Sequence, residues 1–269
     1  MPYRYASVAD ISAYVHHTGP TTLPGRPPVL NRGTTLVCLH GAGGNQGVFD
    51  GVFEALEERH SLVAFDQPGH GRSGSLDSLA DIHAMARFTH ELLTTLGIER
   101  PTLLGHSMGG MVAIQYALTY PEKVGGLVLS ASPAALGNLD EAIEATRKVS
   151  EGKARRQFTR EMYSPDAKPE IMQKGFMEDI KTDPRAQLGD LIACRDWSGT
   201  ADVSAISAPT LVVRGADEFE AVAAGVDALA ETIPGARRAV IPAAAHKLPI
   251  EQPAALADIL ADFLGGLPS

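Results

Sequence analysis

Cysteine is scarce in this chain. Cys38 and Cys194 are the only two in 269 residues, too few for a disulfide framework or a four-cysteine metal site. A cationic excess is missing as well. Lys and Arg number 23 against 32 Asp and Glu, a formal charge of −9. That balance excludes nucleic acid and anionic membrane as expected partners. Long apolar runs are absent, and the opening MPYRYASVADISAYV reads as neither signal peptide nor membrane anchor, so the expected compartment is the cytoplasm. Tryptophan occurs once, at Trp197. No pair of histidines has ligand spacing on a helix, so no metal or other cofactor is expected. What is present is ordinary for a globular domain. Hydrophobic residues make up 44% and charged residues 20%, which excludes wholesale disorder.

Six short apolar runs recur along the chain, at residues 35–40, 61–66, 101–106, 126–131, 210–215 and 237–242. Each is nearly continuous in apolar residues rather than alternating, the pattern of strands buried on both faces of a parallel sheet. Residues 47–58, 79–96, 108–120, 221–232 and 253–264 carry apolar residues at helical spacing, the last with proline in its first turn. Strand alternating with helix predicts a doubly wound α/β fold. Residues 3–7 and 11–17 predict a hairpin on the sheet edge, and the Pro- and Gly-rich stretch 18–32 a loop. Between the fourth and fifth runs lie roughly 75 residues, 132–208, with helical periodicity and breaks near Gly152, Pro165, Pro169 and Pro184. The expectation is an α/β core over 1–132 and 208–269, with a helical cap of about four helices over 133–207.

The sharpest chemical signal is Gly105-His106-Ser107-Met108-Gly109. An expected strand runs into it and an expected helix runs out of it. A sharp strand-to-helix turn needs glycine on both sides of the serine and presents the hydroxyl at the strand end. The Met108 amide then lies at a helix N-terminus. The plainer alternative is a serine capping an ordinary helix. A serine hydroxyl needs a base. Eight of the nine histidines precede Ser107, and only His246 follows it. If the base follows the nucleophile, it is His246, placed just beyond the last run. A carboxylate beyond the run at 210–214 would hold the tautomer of that imidazole and stabilise its cation. Asp217, Glu218 and Glu220 all meet that description. The first run ends in His40-Gly41-Ala42-Gly43-Gly44, whose missing side chains let backbone approach a ligand. No Gly-x-Gly-x-x-Gly and no following lysine are present, so an oxyanion donor, the Ala42 amide facing that of Met108, is preferred to a phosphate cradle. The run from Asp66 to Gly74, with His70 at its centre, reads as a structural turn.

With these residues in view, the chain resembles the α/β-hydrolase superfamily over essentially its whole length. The stretches that carry the resemblance are LHGAGGN, FDQPGHGRSG, LLGHSMGGMVA, APTLVVRGADE and IPAAAHKLPIEQP, in the family's order. It implies an eight-stranded, mostly parallel sheet with a helical cap. It implies Ser107 as nucleophile, His246 as base and the Ala42 and Met108 amides as oxyanion hole. The family's usual place for the acid is three residues after the strand-ending glycine, here Glu218, with Asp217 as the alternative. Glutamate there departs from the commoner aspartate, and Ala243 and Ala245 stand where the family often has glycine. Serine rather than aspartate at the elbow points away from haloalkane dehalogenases and epoxide hydrolases and towards acyl transfer.

The function this implies is a serine hydrolase that cleaves small esters or lactones through an acyl-enzyme. A carbon–carbon hydrolase of ring-cleavage products and a non-catalytic ligand receptor are the alternatives. The cap's end, IACRDWSGTADVSAI, is similar to that of 3-oxoadipate enol-lactonases and small esterases. Gly41, Phe49 and Trp197 are the expected pocket residues, with core packing an equal reading for both aromatic rings. The stretch 147–160 sets six cations against Glu151 alone, either a solvated face or an attractor for a carboxylate-bearing substrate. The expected partner is a small molecule, and a homodimer is compatible with the sequence.

Overall fold

The computed structural model describes residues 2–267 except 24 and 136, and their side chains except those of 200 and 201. Residues 1, 24, 268 and 269 of the expected core and 136 of the expected cap lie outside the described residues. The chain opens with a hairpin, β1 (Tyr3–Val8) and β2 (Ile11–His17), paired antiparallel from Tyr3↔His16 to Val8↔Ile11. Its two turn residues, Ala9 and Asp10, take φ of 47° and 63°, the backbone of a turn whose twist matches that of the strands. Six more strands follow: β3 (Thr35–Leu39), β4 (Ser61–Phe65), β5 (Thr102–His106), β6 (Gly126–Ser130), β7 (Thr210–Gly215) and β8 (Arg237–Ile241). They form one eight-stranded sheet in the order β1-β2-β4-β3-β5-β6-β7-β8. Pairing is parallel from β4 to β8 and antiparallel only where β2 joins.

The six apolar runs are these six strands, and in β3 to β7 alternate residues feed opposite layers. At the sheet edge, β8 corrects the expectation of burial on both faces, since most of its residues are exposed. Val37, Leu39, Leu103, Leu127 and Val212 enter one apolar cluster, with residues of α2 (Ile82–Thr95), α3 (Met108–Thr119) and α7 (Glu220–Thr232). Leu36, Cys38, Leu104, Val128 and Val213 enter the other, with α1 (Asp50–Leu56), the short α8 (Leu248–Glu251) and α9 (Pro253–Gly265). Both cysteines are buried and free.

Between β6 and β7 the chain inserts a helical cap. It contains α4 (Asp140–Ser150), α5 (Pro169–Asp179) and α6 (Pro184–Asp196), with 3₁₀ turns at Arg160–Met162 and Gly199–Ala205. Two of the three prolines that mark breaks in the sequence, Pro169 and Pro184, are the first residues of α5 and α6, where a missing N–H costs nothing. The cationic stretch is largely spent on the cap itself. Arg160 donates to the carbonyls of Tyr163, Ser164 and Pro165, and Arg156 to those of Asp179 and Thr182. Lys153 pairs with Glu151 at 2.7 Å on the exposed surface. Among the described residues no helix is long and apolar enough to cross a membrane.

Candidate active site

Four of the strands end in the loops that build the site, at the carboxyl edge of the sheet where ligands bind in such folds. Ser107 joins β5 directly to α3 with φ 53° and ψ −121°, a strained conformation for a residue with a side chain. The turn is so tight that a Cβ at Gly105 would lie 2.3 Å from the Gly109 carbonyl oxygen, and one at Gly109 would lie 2.1 Å from that of Leu39. The Ser107 amide donates to Ser130 O at 2.9 Å, and Ser132 Oγ donates to Ser107 O at 2.5 Å. The Ser107 side chain is left half-buried at the sheet edge.

His246 follows β8. Its Nε2 lies 3.0 Å from Ser107 Oγ, and its Nδ1 lies 3.1 Å from each carboxylate oxygen of Glu218. The Glu218 carboxylate also accepts the Phe219 amide at 3.0 Å. Asp217 turns the other way, accepting Ser164 Oγ–H from the cap at 2.6 Å. Glu220 is the exposed first residue of α7. Of the three carboxylates the sequence left open, Glu218 is the one the fold brings to the imidazole.

The loop carrying His246 is fastened on several sides, and none of this was foreseen from sequence. Glu251, buried in α8, accepts the Ala245 amide at 2.8 Å and the Ser164 amide of the cap at 2.7 Å. Burial, with Glu218 and Asp217 nearby, raises its pKa above the ordinary carboxylate value. The Lys247 amide donates to Met162 O at 3.1 Å and its ammonium to Asp179 at 2.6 Å. His106 Nε2 donates to His246 O at 2.7 Å. Burial first, and the facing His246 second, push His106 down to about 3, so it stays neutral. The only trace of Glu251 in the sequence is an acidic residue in an otherwise apolar turn.

The glycine loop after β3 lies against the serine. A Cβ at Gly41 would stand 3.1 Å from Ser107 Cβ. The amides of Gly43 and Gly44 are used, by Asp190 Oδ2 at 2.8 Å and Gly41 O at 3.0 Å. Those of Ala42 and Met108 have no acceptor among the described residues. His40 donates Nδ1–H to Gly41 O at 2.9 Å and accepts the Gln67 amide on Nε2 at 3.0 Å, a neutral tautomer. Burial and the neighbouring His70 lower its pKa to about 3. Phe49 corrects an expectation: it is fully buried in the cluster under α1 and α9, and serves packing. Trp197 is buried in the other cluster, its N–H on Gln115 Oε1 at 3.1 Å, about two turns along α3 from Ser107. No group of three or more His, Cys, Asp or Glu is arranged to hold a metal ion among the described residues.

A family model described as the alpha/beta hydrolase family matches residues 36–259. An uncharacterised protein of Mycobacterium tuberculosis is 37% identical over 101 residues, 38% of this chain and 30% of that one. The match thus spans under a third of that relative's length. A pimeloyl-acyl-carrier-protein methyl ester esterase of Aeromonas hydrophila is 28% identical over 256 residues, covering 88% of this chain and 97% of that one. A solved thermophilic esterase of Thermogutta terrifontis, with malate bound, superposes at a TM-score of 0.80 with 26% identity over 98% of both chains.

Proposed function

The chain belongs to the α/β hydrolase family, and from that premise we propose that it is a serine hydrolase of small carboxylic esters or lactones. One observation carries the reading: Ser107 Oγ, the His246 imidazole and the Glu218 carboxylate lie in hydrogen-bond sequence at 3.0 and 3.1 Å. They lie beside two backbone amides, of Ala42 and Met108, that have no acceptor among the described residues. Similarity to a methyl ester esterase and to a solved esterase supports the substrate class.

In this reading His246 Nε2 takes the proton of Ser107 Oγ as the oxygen bonds to the substrate carbonyl carbon. The carbonyl π electrons move to oxygen, and the oxyanion lies between the Ala42 and Met108 amides. A positioned base contributes about 10²–10⁴ in rate, and each oxyanion donor about 10²–10³. Glu218 accepts Nδ1–H, which keeps the lone pair on Nε2 and stabilises the cation. Collapse of the tetrahedral adduct expels the alcohol or lactone oxygen, which takes the proton from Nε2. Water then repeats the sequence on the acyl-enzyme, freeing the acid and Ser107.

Labelling by a fluorophosphonate and turnover of p-nitrophenyl esters and simple lactones test the reading together. Ser107→Ala is expected to lose both while keeping its melting temperature. A wild type that neither labels nor turns over any member of the panel contradicts it, as does a Ser107→Ala variant that still labels.

A further inference from the structure

The turn that reads as plain scaffold in the sequence has a partner far along the chain. His70 Nε2 lies 2.7 Å from Asp190 Oδ2 in α6 of the cap, and both side chains are completely buried. His70 Nδ1 faces Pro68 O at 3.0 Å. Both ring nitrogens thus meet acceptors, which requires both to carry hydrogen, the cationic form. The result is a buried ion pair joining the cap to the α/β core. Such pairs are poor sources of stability, because desolvation offsets the attraction. This one is also incompletely bonded, since Asp190 Oδ1 is buried with no partner. A buried, under-bonded charge calls for an explanation other than stability.

The same Asp190 Oδ2 accepts the Gly43 amide at 2.8 Å. Gly43 directly follows Ala42, one of the two amides without an acceptor. Its φ of +65° would strain any residue with a side chain, and an added Cβ would meet Gln187 of α6 at 2.8 Å. The cap also takes the next two residues of the loop. Thr182 Oγ1 donates to Gly44 O at 2.9 Å, and Asn45 Nδ2 donates to Glu178 O at 2.9 Å. The glycine loop has few side chains with which to hold itself, so its orientation is imposed from α6 and the segment before it.

We propose that Asp190 is a positioning residue, which through the Gly43 amide aims the Ala42 amide at the oxyanion, with His70 holding the carboxylate in place. The proposal rests on the serine-hydrolase reading above. Oxyanion donors act on the transition state rather than on bound substrate. A mis-aimed loop therefore lowers kcat and leaves KM nearly alone. Merely loosening the cap has a different signature, because α6 ends at the only tryptophan, Trp197, buried against α3. Its emission reports whether the cap stays seated.

The test compares the wild type with Asp190→Ala and Asp190→Asn on p-nitrophenyl acetate. Asp190→Ala is expected to lower kcat about 10- to 100-fold, with KM within about threefold and Trp197 emission unmoved. Asn can keep its amide oxygen where Asp190 Oδ2 stands, accepting both the Gly43 amide and His70 Nε2–H, so Asp190→Asn is expected to recover most of the loss. The proposal is overturned by a normal kcat in Asp190→Ala, by no recovery in Asp190→Asn, or by a rise in KM with red-shifted Trp197 emission. Should the alanine variant not fold, Asp190→Glu keeps the charge and displaces the acceptor by one methylene. A lower kcat at unchanged KM is again expected there, and an unchanged kcat overturns the proposal. Fluorophosphonate labelling separates the two readings. A wild type that labels beside an Asp190→Ala variant of normal kcat refutes the positioning role alone, whereas a wild type that never labels refutes both.

Discussion

Two adjacent carboxylates, Asp217 and Glu218, are turned to different partners by the chain after β7. Glu218 meets His246 Nδ1 with both oxygens, and Asp217 is held by Ser164 Oγ–H of the cap. In the proposed mechanism glutamate serves here as the acid, with each carboxylate oxygen 3.1 Å from His246 Nδ1. Glu218→Gln keeps the shape but removes the charge that fixes the tautomer, so kcat on p-nitrophenyl acetate should fall by about 10²–10⁴. Asp217→Asn should change kcat by less than about threefold and cost about 1 kcal/mol of stability through its weakened contact with Ser164. A larger kcat loss in Asp217→Asn than in Glu218→Gln would reverse the assignment.

Elements of the core are readable from the sequence because each obeys one local rule. A strand buried on both faces is a continuous apolar run, as in β3 to β7, and the Gly-x-Ser-x-Gly glycines are demanded by contacts within a single turn. The cap obeys no such rule. Its helices bury few large apolar side chains, and Pro169 and Pro184 look like breaks although they are helix starts. Contacts between distant elements leave no local pattern at all. Nothing around Asp66–Gly74 announces that His70 will meet Asp190, and nothing around His246 announces that Ser164 of the cap will share Glu251 with Ala245. Glu251 offers a test at this scale, because both its oxygens accept backbone amides from two different segments. Glu251→Gln turns one acceptor into a donor facing an N–H. It should cost about 1–3 kcal/mol, lowering the melting temperature by about 2–4 °C per kcal/mol, and should reduce kcat as His246 drifts. Glu218→Gln should instead lose activity with little loss of stability. If Glu251→Gln matches the wild type in both melting temperature and kcat, α8 does not anchor the histidine loop.

At the scale of the whole molecule, the histidines decide how the fold responds to acid. His16, His40 and His106 are buried and held neutral, at about 4, 3 and 3, chiefly by desolvation. Burial lowers His17 and His60 too. A histidine with a depressed folded pKa leaves the unfolded chain to take up the proton first. Its contribution is therefore intact above about 6.5 and is lost as pH falls towards the folded value, at about 1.4 kcal/mol per pH unit. Groups with a raised folded pKa work the other way, buried Asp66 and Glu251 among them. Burial, with Glu178 nearby, raises Asp50 to about 6, so the folded chain gains a proton there between about 6 and the ordinary aspartate value. Asp190 raises His70 against the opposing pull of burial, so its contribution is whole below about 6.5 and is lost as pH rises through the folded value. Three strongly lowered imidazoles outweigh these groups, and unfolding free energy from urea titration should be about 2 kcal/mol lower at pH 5.5 than at pH 7.5. His16 is the position at which to check the cause. It lies in β2 between the Tyr3 and Phe53 rings, where its Nδ1 meets Gln46 Oε1 at 3.0 Å and faces Asp50 Oδ1 at 3.7 Å. His16→Gln should lower stability at every pH yet shrink the difference between pH 7.5 and pH 5.5 by about 1.4 kcal/mol. A variant whose stability runs parallel to the wild type between those two pH values would show that the neutral buried imidazole is not what makes the fold acid-labile.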